Sequence, residues 1–493
     1  MKKFIMLSRP AYIATILAGM AICEGMYAKE NKFGDPADTW DSTKVKTASK
    51  PVFLKRLIEP EFITGNKKVQ VREFNLPPSQ PTNIPDLGKM QLAGKAFPLV
   101  VFGDGLAAGW RDGGLFRAGQ QTAFPNLVAY QMGLTNFRSP LFDTEHGNGT
   151  GYLIASPNST GPRWQEVTNN TAIVNSSDIP ELMPYVGDEV SNMALPKADW
   201  AGMGGTLSPN NNGWVYVEDG RRWTDDMIFL WRLKPKVDKS KYTYWQMLDE
   251  SLKAKQPSLV LAAFGFDTWI DVNLKSKHVN ISWPMASSET PPLSIVVARK
   301  AQSNGAAGVV FTLPHFKHLA YFNWYSISQL NQLAKNAKIT RTREGLLGYE
   351  LLRGNMIFLP TKATEALFNM AKQSPNGLEY QLSDVDVADQ GEIEGGSPAL
   401  YNNRIRQEAR KNGLLVVDLE SLYEKIYEGG FVTDDGYPID GTPKGNFFSA
   451  DGLYPSAIGN AVIANETIKV LNQHFNAHIP LINVANFASQ VTK

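Results

Sequence analysis

Four stretches of this 493-residue chain carry residue types that chemistry uses. The segment VVFGDGLAAGWRDGG, Val100 to Gly114, places Gly103, Gly105, Gly109, Gly113 and Gly114 directly after an apolar run, which is how a backbone cradle for phosphate begins. It lacks the Gly-Lys-Ser/Thr ending of a phosphate loop, and no Gly-x-Gly-x-x-Gly helix start is present to hold a dinucleotide. A tight strand-to-helix turn accounts for it. His315 and His318 in LPHFKHL stand three apart, a spacing at which two side chains on one helical turn can share a metal. A metal site needs three or four ligands, so these two read as packing or surface histidines, and His146, His278, His474 and His478 do not complete the set. The acidic run DVDVADQGEIE from Asp384 has calcium-loop-like spacing, but Ala388 interrupts it and a solvated loop is the better description. Trp110, Phe264 and Trp269 are candidate stacking platforms for a lipid or sugar, against the plainer role of core aromatics.

The whole-chain balance narrows the partners. Lys+Arg 49 against Asp+Glu 48 leaves a formal charge of +1, so there is no basic field to neutralise phosphates, and nucleic acid is not expected. No cofactor is implied. Hydrophobic residues make up 43%, enough for a sizeable globular core. The N-terminus sets Lys2, Lys3 and Arg9 ahead of an apolar run from Ala11 to Cys23, which predicts an export signal over residues 1–28. That run is too short for a span of about 20 residues, and no later stretch reaches that length. Cys23 is the single cysteine, so no intrachain disulfide can form. Two endings stay open: cleavage before Lys29, or lipid attachment at Cys23 as a lipoprotein. The expected address is the periplasm, the outer membrane or the cell surface.

The elements that must position the chemistry follow. Residues 29–96 are rich in Pro, Lys and Asp and predict an extended leader. Apolar runs of β type begin at Phe97 (FPLVVFG), Pro257 (PSLVLAAFG), Ala307 (AGVVFTLP), Asn355 (NMIFLP) and Gly413 (GLLVVDL). They are short, continuous and rich in Val, Leu and Phe, as strands buried on both faces are. Helix-type patterns lie between them: TAFPNLVAYQMG after the first, SISQLNQLAKNA after the third and YNNRIRQEARKNG before the fifth. The alternation predicts an α/β fold with a mainly parallel central sheet covered on both sides. The main domain is expected over 97–480, with a tail over 481–493. A long Asn/Gly/Pro-rich insertion, 141–213, is read as loops on the mouth side of the sheet, where ligands of such sheets bind.

Two segments taken together resemble a known family. GDGLAAG from Gly103, and FFSADGLYPSAIGNAVIANETIKVLNQHF from Phe447, resemble the first and last blocks of the GDSL or SGNH hydrolases, Gly-Asp-Ser-Leu and Asp-Gly-x-His-Pro. The resemblance extends over about 97–480, and WRDGGLFRAGQQTAFPNLVAYQMG is similar to the bacterial exported branch in which the first block runs into Arg-Asp-Gly-Gly. It implies a three-layer α/β/α SGNH-hydrolase (flavodoxin-like) fold with long loop insertions. It also implies that Gly105 stands at the place of the serine nucleophile, Tyr454 at that of the histidine base, and Asp451 at that of the orienting aspartate. Gly220, in EDGRRWTDDM, takes the place of a glycine donor to the oxyanion. In LVLAAFGFDTW the asparagine donor is replaced by Phe266 or Asp267, depending on register. Glycine has no side chain to attack with, tyrosine with a reference pKa of about 10 is a poor base near neutrality, and a carboxylate repels an oxyanion. Loss of a nucleophile or base costs on the order of a millionfold in turnover. The expectation is therefore an exported pseudoenzyme acting as an interaction or scaffold module of the cell envelope, with an envelope or outer-membrane protein as partner. The alternatives are a lipid- or carbohydrate-binding protein that keeps the ester pocket, and a divergent esterase with another nucleophile.

Overall fold

The computed structural model describes residues 62–71, 74, 85–90, 95–156, 161–175, 181–198, 225–238, 242–275, 291–342, 349–351, 356–383, 386–389 and 398–491. In chain order the strands are β1 (Ile63–Lys67), β2 (Leu99–Gly103), β3 (Tyr152–Ala155), β4 (Trp164–Val167), β5 (Ile173–Asn175), β6 (Glu181–Leu182), β7 (Leu259–Ala263), β8 (Ala307–Phe311), β9 (Lys338–Thr342), β10 (Tyr349–Leu351), β11 (Met356–Phe358), β12 (Glu379–Ser383), β13 (Val387–Asp389) and β14 (Leu415–Val417). The helices are α1 (Gly105–Ala108), α2 (Arg117–Gln121), α3 (Phe124–Gln131), α4 (Asp225–Leu233), α5 (Tyr244–Lys255), α6 (Phe266–Lys275), α7 (Leu293–Ser303), α8 (Ile327–Leu333), α9 (Lys362–Gln373), α10 (Pro398–Asn412), α11 (Leu419–Glu428), α12 (Ala457–Phe475) and α13 (Val484–Val491).

The central sheet runs β14-β8-β7-β2, all parallel. Its strands are the apolar runs LVVFG, LVLAA, AGVVF and LVV, and β2 and β7 are buried at every position, as both-face coverage demands. Helices α3 and α12 pack on each other, with α12 also against β14; α7 packs against β7 and β8, and α10 against α7, β8 and β14. A further parallel line lies beyond β2. Val101 N–H donates to Ser191 O (2.9 Å), Met193 N–H to Val101 O (2.8 Å) and Leu195 N–H to Gly103 O (3.0 Å). Numbered by sequence, the five lines stand in the order 2-1-3-4-5, so the chain reverses direction across the sheet between β2 and β7. Open parallel sheets bind ligands at such a reversal, outside the carboxyl ends of the strands.

Four expectations take a more specific form. The stretch NMIFLP does not join the central sheet; its strand β11 pairs antiparallel with β13. It belongs to an excursion between β8 and β14, residues 327–389, with a separate small core of Leu330, Ile339, Phe358, Leu367, Phe368 and Leu382. An apolar run records burial, not which sheet it enters. Residues 141–213, where described, are not loops alone: they hold β3 to β6 and the 191–195 line. The stretch read as a leader contributes β1, parallel to β4, and the buried Phe62, whose ring meets Trp164 at 6.3 Å. The 481–493 tail carries α13, which seats Val484, Phe487 and Ala488 against α12. The export signal, Cys23, Gly220 and His278 lie outside the described residues. Among the described residues no helix is long and apolar enough to cross a membrane.

Candidate functional site

At the carboxyl end of β2 the chain turns into α1 through Asp104, which accepts the Leu106 N–H (3.2 Å) as helix cap. Its other oxygen, Oδ2, accepts the N–H groups of Gly265 (2.9 Å) and Asp267 (3.0 Å) at the start of α6. One carboxylate thus caps two helix starts, and it fixes the loops after β2 and β7 side by side. Gly109 ends α1 in the left-handed region (φ 87°), and a Cβ there would meet Gly119 O at 2.5 Å. Glycine is required at that turn.

This arrangement delivers Asp267 onto Gly105. The Gly105 N–H donates to Asp267 Oδ2 (2.9 Å), the Lys197 N–H donates to the same oxygen (2.6 Å), and the Tyr454 hydroxyl donates to Oδ1 (2.7 Å). Lys197 follows the 191–195 line and holds φ 68°, a left-handed conformation unusual for a side-chain-bearing residue. Asp267 and Tyr454 are 1% and 0% exposed, so water does not share these bonds. Phe266 points elsewhere: its ring packs 5.3 Å from that of Tyr454 and 6.5 Å from that of Tyr423. Of the two registers open in the sequence, Asp267 is the residue that faces Gly105.

Asp451 does not orient Tyr454 through the tyrosine side chain. Its Oδ1 accepts from Ser449 Oγ (2.9 Å), Leu453 N–H (2.8 Å) and Tyr454 N–H (3.0 Å), and its Oδ2 accepts from Gly113 N–H (2.8 Å). Asp112 reciprocates. Its backbone N–H donates to Ser449 Oγ (2.9 Å), while its carboxylate accepts the Ala450 N–H (2.6 Å). The Arg-Asp-Gly-Gly loop and the last block are therefore buckled together by two aspartates and a serine.

Burial governs the charges here. It pushes Asp104 well above the usual carboxylate range, with the neighbouring Asp267 carboxylate adding to the effect. Burial also raises Asp267, against the pull of Lys197, Tyr454 and the Gly105 N–H, and it raises Asp451 against its four donors. Asp112 is raised to about 6 by burial, with Arg111 opposing and Asp451 adding. Buried carboxyls elevated in this way mark functional sites as well as structural networks.

The remaining sequence candidates separate from this cluster. Trp110, Phe264 and Trp269 are core residues, each at most 3% exposed, and offer no open stacking face. His318 is buried beside Tyr427 (ring centroids 4.8 Å) and His315 (5.5 Å), and burial, His315 and Lys317 lower its pKa to about 4. Among the described residues no group of three His, Cys, Asp or Glu side chains is placed to hold a metal ion. In the acidic run, Asp386 accepts from Thr361 Oγ1 (2.6 Å) and from the Ser383 N–H (2.8 Å), an internal turn-forming role. Sequence reasoning did not single out Lys197, Asp104 or Asp112. Asp104 carries a signal, an aspartate just before a helix start; a backbone N–H such as that of Lys197 carries none.

Chemically the cluster converges three donors on the buried Asp267 carboxylate, and Gly105 brings no side chain to the place where the family resemblance implies a serine. A comparison with protein families, with curated proteins and with solved structures finds no match to this chain.

Proposed function

We propose that the chain is an exported, catalytically silent protein on an SGNH-hydrolase-like, flavodoxin-like fold, working as an interaction or scaffold module of the cell envelope. The fold reading is supported by the 2-1-3-4-5 strand order together with the two sequence blocks meeting at the carboxyl ends of the strands. The observation that carries silence is the position of the Asp267 carboxylate. A Cβ at residue 105 would lie 2.7 and 2.8 Å from its two oxygens, so the place implied for a nucleophile and its acyl group is filled by a buried anion. A negatively charged occupant also opposes the negative charge that ester cleavage develops. The lipid- or glycan-binding alternative has less behind it, because Asp267 and Tyr454 fill the remnant pocket and the three aromatic candidates are core.

Purified protein is expected to hydrolyse short-chain nitrophenyl esters no faster than a heat-treated control; saturable turnover by the wild type would overturn the reading, whether or not it survives Asp451→Ala. Mass spectrometry of the mature N-terminus from the native host is expected to start at Lys29 or at an acylated Cys23, and an intact Met1 would refute export. For the partner, a photo-crosslinking residue at Asn211, in the Asn/Gly-rich part of the insertion, is expected to trap a discrete envelope protein that the same residue at the exposed Lys338 does not. Identical adducts from both positions would remove the insertion as the working surface.

A further inference from the structure

The surroundings of Asp267 have the make-up of a carboxylate receptor. Three donors from separate parts of the chain, the Gly105 N–H, the Lys197 N–H and the Tyr454 hydroxyl, converge on one carboxylate at 2.9, 2.6 and 2.7 Å. None belongs to α6, whose first turn carries Asp267. Lys197 holds its left-handed backbone, φ 68°, while presenting its N–H, and its ammonium lies 5.8 Å over the Trp110 ring and lowers the Asp267 pKa by its charge. Glycine at 105 leaves open the space that any Cβ would take from the carboxylate oxygens. Backbone donors, a hydroxyl and a nearby cation are what recognise a free carboxylate; here the occupant is tethered to the chain.

We propose that this cradle is a binding site for a small carboxylate, kept closed in the wild-type chain by Asp267 as its built-in ligand. The inference deepens the silent-site reading and rests on it. Removing the side chain would take away the buried acceptor that the three donors share, a cost that a ligand of the right shape relieves. Asp267→Gly removes a CH2–COO⁻ group, which acetate replaces nearly atom for atom, and Asp267→Ala leaves the smaller gap that formate fills. Asp104 remains beside the site in each variant, engaged with the N–H groups of Gly265 and residue 267 as in the wild type.

The test is thermal unfolding of the full chain at neutral pH, titrated with sodium acetate or formate against sodium chloride at matched ionic strength. Asp267→Gly is expected to melt below wild type in chloride and to recover saturably in acetate, Asp267→Ala to respond to formate, and neither to trimethylacetate. Wild type should stay flat throughout. Adding Tyr454→Phe to Asp267→Gly should weaken acetate about tenfold, the loss expected of one hydrogen bond to a charged group. Adding Gly105→Ala should abolish the response by filling the cradle. If the single variants do not fold in chloride, refolding yield becomes the readout: recovery in acetate or formate supports the site, and failure in all salts overturns it. A flat acetate titration of folded Asp267→Gly, or an equal response from wild type, also overturns it. Ester turnover by the wild type would instead sink the silent-site reading and leave the acetate result standing.

Discussion

Gly105 and Asp267 exclude each other's alternatives: the carboxylate that accepts the Gly105 N–H occupies the space a side chain at 105 would need, since a Cβ there would lie only 2.7 Å from Oδ2. The two positions should therefore be energetically coupled. Gly105→Ala is expected to cost about 1–3 kcal/mol by overpacking a buried site. In the Asp267→Gly background the same change should cost much less, since the clash is gone. A double-mutant cycle by urea unfolding measures this directly, and additive effects within about 0.5 kcal/mol would mean the two residues do not constrain each other.

Tyr454 stands to Asp267 as donor to acceptor, with both groups buried. Tyr454→Phe keeps the ring and its contact with Phe266 while removing one bond to a charged oxygen, so a loss of about 1.5–3 kcal/mol is expected. Tyr454→His should not produce an esterase, even combined with Gly105→Ser, because the Asp267 carboxylate still fills the space beside residue 105. Measured ester turnover from that double variant, above the wild type, would show that the carboxylate can be pushed aside.

How far the sequence reached depends on what kind of feature is asked for. The runs at Leu99, Leu259, Ala307 and Leu415 announced the central strands because burial on both faces leaves a continuous apolar signature. The line at 191–195 left none. It sits at the sheet edge inside Asn/Gly/Pro-rich sequence and reads as loop. The nearness of Gly105 and Tyr454 is implied by the two sequence blocks, while LVLAAFGFDTW leaves Phe266 and Asp267 both open; that Asp267 is the residue, and that it occupies the donors rather than merely lining the site, depends on α6 starting where Asp104 caps it. The Lys197 contribution was illegible in principle, since every residue but proline owns a backbone N–H. Asp451, implied as an orienting residue for a base, meets residue 454 at its backbone N–H and also holds the Gly113 loop, a distinction that only distances make.

The buckle between Asp112 and Asp451 gives stability a definite pH dependence. Asp112 rises to about 6 in the folded protein, above its usual carboxylate value, chiefly through burial. The folded state therefore holds a proton that the unfolded chain has already released between about pH 4 and 6, which makes the group's contribution full below its unfolded pKa and lost as pH rises through about 6. Asp104, Asp267 and Asp451 are shifted in the same direction and add with the same sign. Surface carboxylates held low by hydrogen bonds, such as Asp143, Asp418 and Asp435, act oppositely, and their contribution is lost only as pH falls below the ordinary carboxylate range. His318, lowered to about 4, opposes the buried carboxyls, because below about pH 6.5 the unfolded chain takes up a proton that the folded imidazole refuses, so the carboxyl share is read from the difference in melting temperature between wild type and variant as pH is lowered from 7.5 toward 5. Asp112 keeps a side chain 20% exposed, which trims its share to on the order of 2 kcal/mol. Asp112→Asn keeps an acceptor for the Ala450 N–H and removes the titration, so between pH 7.5 and 5 it should lose the gain on acidification that Asp112 supplies to the wild type; melting curves whose pH dependence is the same in both would assign that dependence to other groups.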